Sequence, residues 1–406
     1  MEKSLFEKHK YFVKIILFVF VSLVTYIVTM TKLKTEFTDY YVHMTYALNF
    51  KRENLYLFTD ISEYSLSYPL WHFIVYAAYR ISLLLFGNLL GPEYATAFVS
   101  ALMNGCVFWI TEKILSRFKL ARPEWAAFAL CFVMPFNIPG WLDHILYFGQ
   151  SSPVVWHNPT NIIVKIFALL GFFITSDMLT AIEEKKKISR KQYISLSAVV
   201  FLSVLAKPSF FQGFVPTLGL YILIHLIRTK FSRIRDYILI CACFIPGFLV
   251  ILFQFLISFY VGKESGGIAI GWLEILKEFY PSPLLQLFLT LVFPVSYILF
   301  NFKKYFKSVM ARLSCLYVIT SWLEAALLYE KGMRKMDGNF EWAVSLAYAM
   351  IWTVTSGMFF KDWQEMELSN KKEKTKNTFL FVLFLMHFIF GISYLWKLLT
   401  AERQYF

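Results

Sequence analysis

The sequence predicts an all-α protein, a polytopic bundle of transmembrane helices in a lipid bilayer. Of its 406 residues, 58% are hydrophobic and 19% are aromatic, and the apolar residues form a series of long runs. A soluble chain of this length would expose far too much apolar surface to water. Its Lys and Arg residues, which outnumber the acidic ones and give a net charge of +13, cluster between the runs as they do in cytoplasmic loops. This placement argues against nucleic acid as a partner.

Eleven apolar runs are the predicted spans, since a helix needs about 20 residues to cross the hydrocarbon core. The first run follows a basic segment and ends without a small-residue cleavage site, so we expect a retained helix rather than a secretory signal. Two runs, 122–138 and 192–206, are short and are expected to extend past these limits. The predicted spans are 11–31, 92–114, 122–138, 159–182, 192–206, 211–227, 236–261, 283–301, 310–328, 342–361 and 378–396.

A further run, 68–87, is long enough to cross but carries Arg80. If it does not cross, the N-terminus and all the basic connectors lie on one side, with 25 Lys and Arg there against 13 on the other. If it crosses, the strongest clusters, 113–124 and 183–191, move outside together, against the positive-inside rule. We therefore predict an interfacial or re-entrant helix at 68–87, with the N-terminus cytoplasmic and the C-terminus outside.

This topology places the chemically distinctive residues on the outer face, because the inner connectors are plain Lys, Arg and Glu clusters. No soluble domain is visible, so we expect a single membrane domain over 1–406. Its predicted catalytic region is 32–91. The outer segments expected to contribute to it are 139–160, 207–210, 262–282 and 329–341.

Asp39 and His43 are the candidate catalytic pair. They are four residues apart in a stretch that reads as helical, so both side chains can face the same way. A carboxylate beside an imidazole can remove a proton from a hydroxyl acceptor, which glycosyl and phosphoryl transfer both need. An ordinary solvated interfacial helix would show the same spacing, and that alternative stays open.

Asp60, Glu63 and Arg80 are candidates for substrate binding around the 68–87 helix. Pro69 keeps the residue before it out of helical geometry and can open the helix that follows. A structural break would explain this stretch equally well. Arg80 can meet a lipid phosphate or extend its charged end to the membrane surface.

His157, Asn158 and Lys207 are candidates for binding phosphate. The first two lie just before a predicted span, where the positive end of the helix dipole favours an anion. Lys207 lies between two short apolar runs and would act as a point charge. Interfacial anchoring is the alternative for this lysine.

The segment 330–341 is the densest polar stretch on the outer face. Its two glycines permit tight turns, and an arginine there can clamp a phosphate through two parallel hydrogen bonds. The substrate-binding candidates in this segment are Arg334, Asp337, Asn339 and Glu341.

Several familiar signals are missing from the sequence. It has no GxxxxGK[ST], GxGxxG or HExxH motif, so ATP-driven transport and zinc protease chemistry lack support. All five cysteines fall inside apolar runs, which argues against disulfides or cysteine-bound zinc in the outer loops. No dedicated set of oxygen ligands is visible, and no metal site is predicted.

The acidic Asp39 in the first outer segment, followed by Tyr68-Pro69-Leu70 at the start of an interfacial helix, resembles the layout of the GT-C superfamily of multi-span glycosyltransferases. The resemblance covers about the first 180 residues, with Lys207 and the 330–341 segment as weaker additions.

The resemblance implies inverting transfer of a sugar from a polyprenyl-phosphate donor to a glycan, lipid or protein acceptor at the outer face of the plasma membrane. Asp39 would be the general base. His157, Lys207 and Arg334 would stabilise the leaving phosphate, and the prenyl chain would lie between the 68–87 helix and the spans. Some members of the superfamily use a divalent metal; no cofactor is expected here.

Two other classes of protein stay open on the sequence alone. A flippase, exporter or polymerase of lipid or polysaccharide would use the same outer cavity without a general base. A non-catalytic assembly subunit would present Asp39 and Arg334 on separate surfaces. Convergence of Asp39, His157, Lys207 and Arg334 would favour the enzyme.

Overall fold

The computed structural model describes residues 2–36, 38–50, 69–137, 150–256, 267–367 and 369–400. This part of the chain is almost entirely helical and contains one two-stranded sheet. Up to residue 256 the helices are α1 (Glu2–Lys32), α2 (Asp39–Leu48), α3 (Pro69–Phe86), a 3-10 turn (Gly87–Leu89), α4 (Pro92–Ser116), α5 (Pro123–Leu130), α6 (Pro159–Glu183), α7 (Arg190–Ala206), α8 (Ser209–Arg228), α9 (Ile234–Ala242) and α10 (Ile245–Leu256). The later elements are β1 (Gly267–Ile270), α11 (Leu276–Phe279), α12 (Pro283–Phe300), α13 (Phe302–Tyr305), α14 (Val309–Leu327), β2 (Leu328–Lys331), a 3-10 helix (Gly332–Asp337), α15 (Trp342–Glu365) and α16 (Lys371–Thr400).

Nine helices in the described ranges are long and apolar enough to cross a membrane. A tenth crossing is added if α9 and α10, which meet at a 41° bend, count as one span. These nine are α1, α3, α4, α6, α8, α12, α14, α15 and α16. The chain is therefore a multi-pass helical membrane protein, as its composition predicts.

Two of the predicted spans differ from continuous membrane helices. Of the described residues 122–137 in the run 122–138, only the eight residues of α5 are helical, and 131–137 continues as non-helical chain. The run 192–206 is helical, but α7 has only 17 residues. Both departures fall on the runs that are shortest in the sequence.

The non-helical segment 131–137 packs against the middle of α16. The Met134 N–H donates to the carbonyl of His387 at 3.2 Å, and the His387 ring lies 2.6 Å from the Met134 carbonyl through Nδ1. At Gly391, one turn further on, a Cβ would overlap the Phe132 carbonyl oxygen. Such backbone is tolerated at membrane depth only where protein surrounds it, and Phe132 and Met134 are fully buried.

Helices α1 and α4 run antiparallel and define the two ends of the bundle. Asn104, midway along α4, donates to Thr25 at 2.8 Å, and Lys14 forms a buried ion pair with Glu112, nearer the C-terminal end of α4. The C-terminal end of α1 and the start of α4 therefore lie at the same end, which we call the Lys32 end. A charge buried among membrane helices needs such a partner.

An aromatic cluster fills the interior between α6, α8 and α14. It consists of Phe172, Phe210, Phe214 and Tyr317, all fully buried. The rings of Phe210 and Phe214 are stacked with centroids 4.8 Å apart, and the Tyr317 ring packs edge-on against Phe214 at 5.4 Å. Aromatic pairs in these arrangements add to the gain from burial alone.

The sheet fixes the segment after α14. Strands β1 and β2 pair antiparallel, with Gly267 opposite Lys331 and Ile270 opposite Leu328. The 3-10 helix Gly332–Asp337 follows β2 directly and leads to α15. The polar segment 330–341 is thus held at the C-terminal end of α14.

Candidate functional site

Four helices begin at one place at the Lys32 end of the bundle. They are α2, which starts at Asp39; α6, which is capped by Asn158; α8, which starts two residues after Lys207; and α15, which starts at Trp342. The N-terminal end of a helix carries about half a positive charge, so their convergence creates a site that favours anions.

Asp39 occupies the first turn of α2. Thr38 caps this helix, because its hydroxyl accepts from the N–H of Tyr41 at 3.4 Å. The Asp39 carboxylate is half-buried, and its Oδ2 accepts a hydrogen bond from Nδ2 of Asn158 at 2.8 Å. Its Oδ1 makes no hydrogen bond within the described ranges, so one oxygen is available to a substrate.

Asn158 connects three elements through one side chain. Its Oδ1 accepts from the N–H of Asn161 at 2.9 Å and from the Thr160 hydroxyl at 2.7 Å, which caps α6. The same oxygen lies 3.5 Å from Nζ of Lys207. With its Nδ2 committed to Asp39, this buried asparagine fixes the position of both the carboxylate and the ammonium group.

Lys207 is buried, with a side chain that spans from Asn158 to α15. Its Nζ lies 3.7 Å from the centre of the Trp342 ring, a cation–π contact. The ring of His157 also packs against Trp342, with the two ring centroids 5.6 Å apart. His157, Asn158 and Lys207 are therefore brought together with Asp39, as convergence on one site requires.

His43 lies one turn after Asp39 on α2 and pairs with a second histidine. Its Nδ1 lies 2.9 Å from Nε2 of His72 on α3, and both rings are buried. Burial, together with the positive charges that His72 and Lys207 can carry, holds the pKa of His43 well below its usual range. A neutral His43 therefore joins α2 to α3 at neutral pH.

His157 is also neutral at neutral pH. Burial is the main cause that lowers its pKa to about 4; Asp39 opposes this shift, and the nearby Lys32 and Lys207 add to it. Lys32, the last residue of α1, is 4% exposed and also interacts electrostatically with Asp39. His157 can thus donate or accept a hydrogen bond at this site, and the cationic groups are the two lysines.

Glu341 is buried immediately before Trp342. Its Oε2 lies 2.7 Å from the hydroxyl of Tyr280, which is also 2.9 Å from the Ser151 hydroxyl. Its Oε1 has no hydrogen-bond partner in the described part of the chain. Glu341 therefore joins the start of α15 to the segment that leads into His157.

Asp337 and Asn339 form hydrogen bonds with residues of neighbouring loops. The Asp337 carbonyl accepts from the side chain of Gln150 at 3.0 Å. Asn339 donates to Glu330 at 2.7 Å. Both contacts shape the 330–341 segment.

Arg80 lies away from the converging residues. It is exposed on α3, two turns beyond His72, and its Nη1 donates to the Tyr76 hydroxyl at 3.3 Å. The prediction that it joins the same site has no support from these contacts. Asp60, Glu63 and the side chain of Arg334 lie outside the described residues.

Three residues of the site escaped the sequence-based candidate set. They are Lys32, His72 and Trp342. Lys32 follows an apolar run directly and His72 follows Pro69 by one helical turn, positions shared with many interfacial residues. Their roles depend on partners far away in sequence, which spacing cannot reveal.

Within the described ranges, no group of three or more His, Cys, Asp or Glu side chains is placed to hold a metal ion. The site instead offers a carboxylate with one available oxygen, two lysines, neutral imidazoles and the positive ends of four helices. Such a set can accept a proton and can bind an anion a few ångströms away.

The fold and the site together define a multi-pass membrane protein with a polar, anion-favouring site at one end of its helical bundle. No protein-family model matches the chain, and a search of curated proteins finds no match.

Proposed function

We propose that the protein is a membrane glycosyltransferase that moves a sugar from a polyprenyl-phosphate donor to a hydroxyl acceptor on the outer face of the membrane. One observation carries this proposal: Asp39, Asn158 and Lys207 form a continuous chain of contacts, although they come from three separate parts of the sequence. A base and an anion site at this spacing are the two groups that the reaction needs.

In the proposed reaction, the acceptor oxygen attacks the anomeric carbon as the bond from that carbon to the phosphate oxygen breaks. The acceptor proton passes to the available oxygen of Asp39, and the electron pair of the broken bond stays on the polyprenyl phosphate. Attack and departure on opposite faces invert the configuration. Asn158 holds the carboxylate in place and is a positioning residue.

The leaving phosphate would be bound by Lys207 and by the start of α6. Charge on the phosphate grows as the bond breaks, so a buried cation and an aligned helix dipole stabilise the transition state more than the ground state. Lys32 adds a second positive charge beside Asp39. His157, being neutral, would contribute a hydrogen bond rather than a charge.

We further propose that α3 does not cross the membrane. Its start is fixed at the Lys32 end by the contact between His43 and His72, and α4 begins at that same end. An 18-residue helix is about 27 Å long, whereas the six steps from Phe86 to Pro92 span at most about 23 Å. A crossing α3 would leave too little chain to return.

With α3 at the surface, the chain would cross eleven times. Helix α5 and the extended segment 131–137 would form one crossing, α7 another, and the bent α9–α10 pair a third, in addition to eight of the long helices. The basic connectors then lie together at the end opposite to Lys32, which places that opposite end in the cytoplasm. The N-terminus would be cytoplasmic, the C-terminus outside, and the membrane the plasma membrane.

The two alternative functions, a flippase and an assembly subunit, have less support. A flippase needs a polar path between the two membrane faces, and the aromatic cluster of Phe172, Phe210, Phe214 and Tyr317 fills the interior below Lys207. An assembly subunit would present its outer charges on separate surfaces, whereas Asp39 and Lys207 share one asparagine. GT-C membership and the identities of sugar and acceptor belong to the same proposal.

A donor panel tests the activity directly. Membranes containing the chain would be supplied with polyprenyl phosphates that carry tritiated hexoses or pentoses, and transfer of label to other material would be measured. We expect one donor to support transfer, and Lys207→Gln to lower kcat/KM for that donor about tenfold, since about 1.4 kcal/mol of lost transition-state stabilisation is a tenfold effect. Movement of intact donor across the membrane without transfer would contradict the proposal.

A further inference from the structure

A second polar pocket lies at the end of the bundle opposite to Asp39. It has a volume of about 710 Å³ and is formed where α6 and α8 end and α14 begins. Helices α6 and α8 start at the Asp39 site, and α6 alone is about 37 Å long for its 25 residues. This pocket is therefore separate from the proposed catalytic site.

The floor of the pocket is a fixed hydrogen-bond network. Nη2 of Arg312 lies 2.6 Å from both carboxylate oxygens of Glu183, and the Tyr221 hydroxyl donates to the same carboxylate at 2.5 Å. On the neighbouring wall, the His225 ring is hydrogen bonded to the Tyr237 hydroxyl at 2.7 Å. These contacts come from four different helices and hold the pocket open in a defined shape.

Positive charge exceeds negative charge around the pocket. Its lining, as far as the structure describes it, includes the cations Lys185, Arg228, Arg233 and Arg312 and one carboxylate, Glu183. Glu183 is already paired with Arg312, and Arg233 is paired with Asp236 outside the lining. Among the residues that the structure describes, Lys185 and Arg228 form no ion pair, so two cations face the pocket without a counter-charge.

The backbone at two of these cations is in a rarely used conformation. Lys185 and Arg233 both have left-handed φ angles, 56° and 60°, in a region that disfavours residues with a side chain. Such conformations persist where the surrounding structure requires them. Here they direct two connecting segments, the one after α6 and the one before α9, to the rim of the same pocket.

The remaining wall of the pocket is apolar and continuous with the membrane-facing surface. Ile224 and Ile319 line it and are 36% and 52% exposed, on the outer sides of α8 and α14. Ile182 and Leu316 extend this wall inward. A ligand there would therefore contact cations at the rim and hydrocarbon below it.

We propose that this pocket binds the phosphate headgroup of an anionic membrane lipid, in the leaflet opposite to the Asp39 site. Basic pockets between membrane helices attract anionic lipid headgroups. Lys185 and Arg228 would contact the phosphate, and the wall formed by Ile224 and Ile319 would contact the first part of the acyl chains. The apolar wall favours a lipid over a free phosphate ion.

The test uses the purified full chain in detergent, depleted of native lipid. Dioleoyl phosphatidic acid, dioleoyl phosphatidylcholine and inorganic phosphate would be titrated separately, and binding followed by thermal unfolding and by native mass spectrometry. We expect phosphatidic acid to raise the unfolding temperature and to form adducts. Phosphatidylcholine and inorganic phosphate should do neither.

The double variant Lys185→Gln/Arg228→Gln should bind phosphatidic acid at least about tenfold more weakly, with an unchanged unfolding temperature in the absence of lipid. The matched control is Lys303→Gln/Lys371→Gln, which removes two exposed cations of the same end that do not line the pocket. Equal affinity in the two double variants would overturn the proposal. Equal stabilisation by phosphatidylcholine or by inorganic phosphate alone would overturn it too.

Discussion

The carboxylate of Asp39 and the side-chain amide of Asn158 are hydrogen bonded at 2.8 Å, across 119 residues of sequence. The other end of the same amide caps α6 and faces Lys207. One asparagine thus fixes the distance between the proposed base and the proposed phosphate ligand. In a glycosyltransferase this distance decides whether one residue can deprotonate the acceptor while the other stabilises the leaving phosphate.

The double role of Asn158 can be separated by substitution. Asn158→Ser keeps a good helix cap but has no donor that reaches Asp39, so stability should change by less than about 1 kcal/mol. Transfer should fall by about tenfold or more, because a misplaced base loses much of the benefit of positioning. Transfer kinetics and thermal unfolding would be measured on the same preparation. Full activity in the serine variant would remove Asn158 from the site.

The proposed position of α3 at the membrane surface is tested by cysteine labelling in intact cells. In a variant without the native cysteines, Asn88→Cys should react with a membrane-impermeant maleimide. Lys119→Cys, exposed on the connector after α4, should react only after permeabilisation. Lys34→Cys, exposed before α2 and thus on the other side of α3 in the sequence, should react like Asn88→Cys. Reaction at position 34 with protection at position 88 would show that α3 crosses and would contradict its proposed position.

The half-buried His157 should make stability depend on pH in a defined direction. Its pKa is about 4 in the folded protein, below the usual value of 6.5. Between pH 4 and pH 6.5 the unfolded state therefore binds more protons than the folded state. The contribution of neutral His157 to folding stability is complete above pH 6.5 and is lost as the pH falls toward 4. When the pH is lowered from 7.5 to 5, the unfolding temperature of the His157→Gln variant should fall less than that of the unmodified protein. An equal fall in unfolding temperature in the two proteins would contradict the lowered pKa of His157.

The contact between Gly391 and the segment 131–137 allows a matched test of the fold. Gly391→Ala would place a Cβ on top of the Phe132 carbonyl oxygen. It should destabilise the protein by about 3 kcal/mol or more, since overpacking that displaces backbone lies at the upper end of such costs. Gly219→Ala, in a helix position with open space around it, should be neutral or stabilising by up to about 1 kcal/mol. Similar unfolding temperatures for the two variants would refute this packing.

Much of the architecture could be predicted because it rests on composition. Apolar runs of about 20 residues mark membrane helices whatever their partners, and the positive-inside rule alone groups Asp39, His157, Asn158 and Lys207 on one face. The run 122–138 could not be predicted in the same way. A buried extended segment and a buried helix have the same apolar composition, and the glycine that accommodates this segment lies more than 250 residues away.

The site itself was only partly accessible from sequence. Asn158 was expected to bind phosphate, but its bond to Asp39 depends on how α2 packs against α6. The pairing of His43 with His72 joins two helices across a stretch of 29 residues, and no local pattern specifies it. Arg80 carried the most conspicuous charge of its run, yet it lies on the exposed side of α3.

The central claim is that Asp39 accepts the acceptor proton. The most direct measurement compares sugar transfer and donor binding in Asp39→Asn with those in Asp177→Asn, an equivalent substitution about 27 Å along α6 from the site. We predict that Asp39→Asn lowers the transfer rate at least about a thousandfold, within the range for general-base loss, with donor binding and unfolding temperature unchanged. Asp177→Asn should transfer normally. Transfer by Asp39→Asn at the rate of the unmodified protein would contradict the account.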